Sequence, residues 1–139
     1  MLVKEVMTKK VVTINQEQSV FDACNMYKDY KIGSLIVVEN DKCVGIITER
    51  DLIERTICAK KNPETTKVKE IMSTNVKTVH QLDTLEKAIE VMFQYNIKKL
   101  PVVIEEGIVG IITVTDISKA RPDLSKRFME TWVLPDYRD

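Results

Sequence analysis

Thr48 with Asp51, and Thr113 with Asp116, are the residues whose types and spacing best suggest chemistry. They sit in Gly45-Ile46-Ile47-Thr48-Glu49-Arg50-Asp51 and again in Gly110-Ile111-Ile112-Thr113-Val114-Thr115-Asp116. The β-branched run predicts a strand ending in Thr, and the Asp predicts the opening of a helix. The start of a helix offers unpaired N–H groups and a partial positive charge, which suit a phosphate. A Thr hydroxyl adds a donor. A carboxylate one turn on can accept both hydroxyls of a ribose, as an acidic residue does in dinucleotide folds. Thr and Asp are also common helix caps. Their retention in both copies, where caps are free to diverge to Ser or Asn, puts the ligand reading level with the cap reading.

Other chemistry is sparse. No nucleophile elbow, Cys/His pair or metal-ligand spacing occurs, so neither an enzyme nor a metal site is expected. Cys24, Cys43 and Cys58 are far apart and odd in number, and read as buried or half-buried free thiols. The single histidine, His80, reads as a surface or capping residue.

The elements that must position the Thr–Asp pairs come from a duplication. Laying Val3 over Val68 aligns VKEVMTKKVVTINQ with VKEIMSTNVKTVHQ, and the match runs gapless to GIITERDL over GIITVTDI. About nineteen of about fifty aligned pairs are identical, where background composition gives about three. Each copy predicts strand, helix, strand, strand, helix. The leading strands are Val11 to Ile14 and Val76 to Val79. Val20, Ala23, Cys24 and Tyr27, with Ser19 as N-cap, mark one helix. Leu85, Ala88, Ile89, Met92 and Phe93, capped by Asp83 with Glu86, mark its counterpart. Leu35 to Glu39 and Lys42 to Thr48 predict a hairpin turning at Asn40-Asp41. Leu100 to Ile104 and Ile108 to Thr113 predict another, turning at Glu105-Glu106-Gly107. The fold class is α/β (α+β), with small sheets covered on both faces because the strands are continuously apolar.

The expected organisation is a first repeat over 1–60, a linker over 61–67, a second repeat over 68–120 and a tail over 121–139. A copy this small is marginal alone, so the two are expected to share a core and fold as one unit. In the tail, Leu124, Phe128 and Trp132 stand four apart on one helical face that Pro135 ends. That face either packs back on the domain or meets a second subunit or partner.

The chain has 139 residues and 16.0 kDa, with 21 basic and 21 acidic side chains and a net charge of zero. That balance argues against a nucleic-acid binder or a membrane-surface binder. No apolar run approaches the ~20 residues of a membrane span. The first residues lack a signal peptide's apolar core and cleavage site. A cytoplasmic protein is the expectation.

Two tandem copies ending in GIITxxD resemble a pair of cystathionine-β-synthase (CBS) domains. Lys4 to Met7 and Lys69 to Met72, Val11-Val12-Thr13-Ile14 and Val76-Lys77-Thr78-Val79, and Ile97 to Val103 carry the same resemblance, which covers Val3 to Lys119. It implies a pseudo-two-fold pair of repeats that binds adenosine-containing ligands (AMP, ADP, ATP or S-adenosylmethionine) in clefts between them. It also implies a regulatory role signalled to a partner. By analogy Asp51 and Asp116 hold ribose hydroxyls, and Thr48 and Thr113 approach phosphates. Thr13 and Thr78, with Ile32 and Ile97, frame the adenine. Gly33, Ser34, Lys98 and Lys99 fall near the phosphates.

The copies differ. Arg50 precedes Asp51 and offers phosphate a charged fork, whereas Thr115 precedes Asp116. Lys98 and Lys99 align with Gly33 and Ser34, which would favour phosphates in one cleft. Ile36 stands where the second copy has Pro101. The resemblance further implies a homodimer, with the faces around Tyr27, Tyr30, Phe93 and Tyr95 as candidates, and an effector protein acting in trans. The competing reading is a ligand-free dimerisation or scaffold module with vestigial clefts.

Overall fold

The structure, a computed structural model, describes residues 1–133; Pro135 lies outside them. After a short helix α1 (Val3–Val6), the first repeat forms β1 (Thr13–Asn15), α2 (Val20–Tyr30), β2 (Ser34–Glu39), β3 (Lys42–Thr48) and α3 (Glu49–Leu52). A π-helical turn, Ile53–Ile57, extends α3. The second repeat forms β4 (Val79–His80), α4 (Leu85–Tyr95), β5 (Lys99–Ile104), β6 (Gly107–Thr113) and α5 (Val114–Ala120), and α6 (Ser125–Phe128) follows. The expected order, strand, helix, strand, strand, helix, is found in each repeat. Both leading strands begin later than the apolar runs suggest.

Local chemistry accounts for the boundaries. Ser19 caps α2, its hydroxyl accepting the Asp22 N–H at 3.0 Å. The cap of α4 is Thr84, not Asp83: the Thr84 hydroxyl accepts the Lys87 N–H at 3.1 Å. Asp83 instead accepts the His80 N–H at 2.8 Å and closes the preceding turn. His80 itself accepts the Leu82 N–H through Nδ1 at 3.0 Å, so it is a turn-capping residue. The β2–β3 hairpin turns on Asn40 and Asp41, both left-handed at φ 51° and 64°, a conformation that Asn and Asp tolerate.

The chain folds as two compact units. One comprises Val11–Val76 with Glu106–Ile108. In it β1 runs parallel to β2, Thr13 opposite Ile36, and β2 runs antiparallel to β3, Ser34 opposite Thr48. Its core holds Ile14, Val20, Ala23, Leu35, Val37, Ile47, Leu52, Val68 and Ile71. The other comprises Met1–Lys10 and Lys77–Glu105, with the chain from Val109 onward. In it β4 runs parallel to β5, Val79 opposite Val102. Its core holds Val3, Val79, Leu85, Ala88, Ile89, Met92, Leu100, Val102, Ile112, Ile117 and Phe128.

Each unit has its own hydrophobic core, and the leading segments are exchanged between the repeats. Residues 1–10 precede the first repeat's strands yet pack in the second repeat's unit. Val3 N–H donates to Asp83 O (2.8 Å), Lys4 N–H to Gln81 O (2.9 Å), and Thr8 and Ile111 exchange backbone bonds. The aligned segment does the same in the other unit. Val68 N–H donates to Gln18 O (2.8 Å), Lys69 N–H to Gln16 O (3.0 Å), and Ser73 and Ile46 exchange backbone bonds.

Two further expectations are corrected. Cys24 and Cys58 are exposed and only Cys43 is half-buried, since α2 turns Val20 and Ala23 inward in place of Cys24. In the tail, Phe128 is buried, and Leu124 and Trp132 pack against the second-repeat core, so this stripe folds back on its own unit. Among the described residues, no helix is long and apolar enough to cross a membrane.

Candidate functional site

The two Thr–Asp pairs adopt one geometry. Thr48 is the N-cap of α3, and its hydroxyl accepts the Asp51 N–H at 3.2 Å. Asp51 Oδ2 in return accepts the Thr48 N–H at 3.0 Å. In the second repeat the Asp116 N–H donates to the Thr113 hydroxyl at 3.1 Å, and the Thr113 N–H to Asp116 Oδ2 at 3.0 Å. Each pair is a reciprocal capping box. Asp is therefore the third helical residue and not the cap, and one carboxylate oxygen per aspartate, Oδ1, is outside the box.

Those two oxygens have different neighbours. Asp51 Oδ1 lies 3.7 Å from Arg55 Nε, one turn further along. Arg55 also donates through Nη1 to Ile71 O at 3.1 Å, tying the exchanged segment to the helix. Asp116 Oδ1 receives the Thr8 hydroxyl at 3.4 Å, and Ala120 stands where the first repeat has Arg55. Tyr27 packs against the first-repeat core and donates its hydroxyl to Ile47 O, the residue before Thr48. Burial, with Asp51 and Glu49 nearby, pushes its phenol above the ordinary range, so it stays a neutral donor.

The remaining residues singled out in the sequence divide between the units. Thr13 opens β1 and Ser34 opens β2, opposite Thr48. Ile32 packs against the first-repeat core, and Gly33 is exposed beside it. Ile36 is buried within β2. Arg50 is turned to Glu54, Nε to Oε1 2.7 Å, on the solvent side, so its fork is engaged away from Asp51. In the other unit Thr78 and Thr115 are exposed, Ile97 packs on the core, and Lys99 opens β5. Lys98 O accepts the Val114 N–H at 3.0 Å, which anchors Lys98 beside the first residue of α5. Its ammonium lies 5.7 Å from the centre of the Trp132 ring.

Sequence reasoning missed six participants. Thr8 reaches Asp116, and its counterpart is Ser73; both directly follow the methionines of KEVM and KEIM, a position the repeat alignment displays. Met7 and Met72 cover Gly110 and Gly45. Arg55 was detectable from its four-residue spacing to Asp51. Asn96, which accepts the Trp132 indole N–H at 2.6 Å, carried no such signal. Among the described residues, no group of three or more His, Cys, Asp or Glu is placed to hold a metal ion.

Comparison with known proteins agrees with this layout. The protein YhcV of Bacillus subtilis, a CBS domain-containing protein, is 33% identical over 116 residues, 84% of this chain and 82% of its own. The Methanopyrus kandleri protein MK0525 is 34% identical over 124 residues; the match covers 88% of this chain but 63% of that protein. Among solved structures, the CBS domain pair of protein MJ0100, in complex with 5′-methylthioadenosine and S-adenosyl-L-methionine, is 32% identical with a TM-score of 0.76. That match covers 88% of this chain and 97% of the MJ0100 chain. The CBS domain profile matches twice, at residues 3–57 and 68–123, the two stretches that carry the paired capping boxes, and the chain belongs to the CBS domain family.

Proposed function

We propose that the chain is a regulatory module that binds adenosine-containing ligands and passes their presence to a partner protein. The observation that carries this reading is the duplicated Thr–Asp geometry, which leaves Asp51 Oδ1 and Asp116 Oδ1 outside their capping boxes. An ionised carboxylate oxygen is a strong acceptor for a ribose hydroxyl. The similarity to a CBS pair that binds S-adenosylmethionine and methylthioadenosine supports an adenosine ligand over other nucleosides. The proposed range is AMP, ADP, ATP or S-adenosylmethionine. In this reading the module works in the cytoplasm as a homodimer, performs no catalysis of its own, and acts on its effector in trans.

The capping boxes also favour a second reading. They account for each Thr–Asp pair without a ligand, which is what a scaffold or dimerisation module would need. Calorimetry and thermal melting against AMP, ADP, ATP, NAD and S-adenosylmethionine separate the two. A ligand that binds only the folded chain raises its stability by ~2.7 kcal/mol at a hundredfold excess over Kd. A flat response to the whole panel leaves the scaffold reading standing.

A further inference from the structure

Trp132 is the chain's one tryptophan, and it is fixed on three sides. Its indole N–H donates to Asn96 Oδ1 at 2.6 Å. Its ring lies 4.9 Å from that of Phe93 and stacks on Phe128 at 5.8 Å. Over this held ring stands the Lys98 ammonium, 5.7 Å from its centre. The Lys98 backbone is anchored at the start of α5, two residues from Asp116, while its side chain is directed to the tail. The first repeat has Gly33 at the position of Lys98, so this arrangement exists once in the chain.

The geometry points to Trp132 as a positioning residue that sets how strongly the second repeat responds to phosphate. This inference rests on the adenosine reading above. An exposed cation over an aromatic face is held weakly, whereas an ammonium–phosphate bond is charge-assisted. A phosphate arriving beside Asp116 therefore withdraws Lys98 from the ring, and the tail loses one of its holds. Coupling of this kind is reciprocal: whatever loosens the tail strengthens phosphate binding by the same factor. A nucleoside without phosphate leaves Lys98 on Trp132. The second repeat would thus report the phosphate, and not the adenosine alone, to the chain beyond α5.

The test uses the full chain carrying Asp51→Asn, so that the second-repeat site dominates, and follows AMP and adenosine by calorimetry and by Trp132 emission. AMP is expected to shift the emission and adenosine to bind without shifting it. Lys98→Gln should abolish the AMP-induced shift. Trp132→Phe keeps an aromatic ring but loses the indole bond and holds a cation less firmly. It should raise AMP affinity about two- to fivefold while leaving adenosine affinity unchanged. AMP binding with unmoved emission overturns the inference, as does a Trp132→Phe chain whose AMP and adenosine affinities move together or not at all. If neither compound gives heat with this chain or with the unmodified one, the adenosine reading fails and this inference falls with it.

Discussion

The sulfur of Met72 lies 2.5 Å from the point where a Cβ on Gly45 would stand, and the sulfur of Met7 lies 2.6 Å from the same point on Gly110. Each methionine belongs to an exchanged leading segment, and each glycine to the strand that ends at a Thr–Asp pair. Among the described residues no glycine has a positive φ, so close packing, not backbone freedom, is what makes Gly45 and Gly110 glycines.

Replacing either glycine with alanine should therefore destabilise the fold by overpacking, by about 1–3 kcal/mol. Methionine can move, but the Ser73 and Thr8 carbonyl oxygens, each 3.0 Å from the added carbon, belong to backbone pairs and cannot move freely. Denaturant midpoints of Gly45→Ala and Gly110→Ala measure the effect; midpoints equal to wild type would show that the space is more generous than the geometry states.

Asp51→Asn and Asp116→Asn separate ligand from cap. An Asn side-chain oxygen can still accept the Thr backbone N–H, so the capping box survives; the favourable helix-end charge, about 0.3–1 kcal/mol, and the exposed contact to Arg55 or Thr8 are lost. Hydrogen bonds to a charged acceptor contribute ~1.5–3 kcal/mol, so nucleotide affinity at the altered repeat should fall about tenfold to a hundredfold. Calorimetry on each single variant should lose one binding event and keep the other. Unaltered binding in both variants would leave the aspartates as helix-capping residues and nothing more.

Cutting the chain between Lys60 and Lys67 should leave neither half folded. A fragment ending at Lys60 lacks Val68 and Ile71, which are core residues of its own unit, and the complementary fragment lacks Val3. Half-length cores of this size are marginal even when complete. Mixing the two fragments should restore a cooperative melt that neither gives alone. A cooperative melt from the isolated 1–60 fragment refutes the dependence.

Glu17 should contribute to the acid limb of stability. Lys67 and Lys69 each place an ammonium 2.7 Å from one of its oxygens, and their hydrogen bonds hold its carboxyl at about 2, against an ordinary value of 4.5. A carboxyl lowered by folding stabilises the folded chain above its unfolded value, and that contribution is lost as pH falls from about 4.5 toward 2. The cluster is solvent-exposed, so the effect should be modest and weaken in salt. Melting curves of Glu17→Gln across that range, at low and high salt, should converge with wild type at the acid end; curves that stay parallel throughout would rule the cluster out.

Element order was legible because duplication shows each strand and helix twice. Where one copy is ambiguous, as with Cys24 in the stripe of α2, the other is clear, as with Leu85, Ala88, Ile89 and Met92 in α4. The one-residue error at Thr84 arose because Asp83 and Thr84 are both good caps and adjacent; tertiary pairing with His80 decides between them. The Thr–Asp pairs stood out, yet their spacing is that of a capping box, and only the folded geometry assigns one oxygen to the helix and leaves the other outside. The exchange of leading segments had no sequence signal, because periodicity tells which face a segment buries and not which unit receives it.

That exchange also orders events during synthesis. Val3 is made before any other core residue of its unit, but its backbone acceptor Asp83 and the other residues of its core, from Val79 to Phe128, are translated about seventy-five residues or more later. The unit built from Val11–Val76, to which only Glu106–Ile108 is added later, receives Val68 and Ile71 soon after its strands are complete. It can close first while the opening segment is still waiting, and domains formed during translation do assemble in chain order. The opening segment, with Val3, Val6 and Met7 on its buried side, stays without these partners until Gln81, Asp83 and, last, Ile111 have been made.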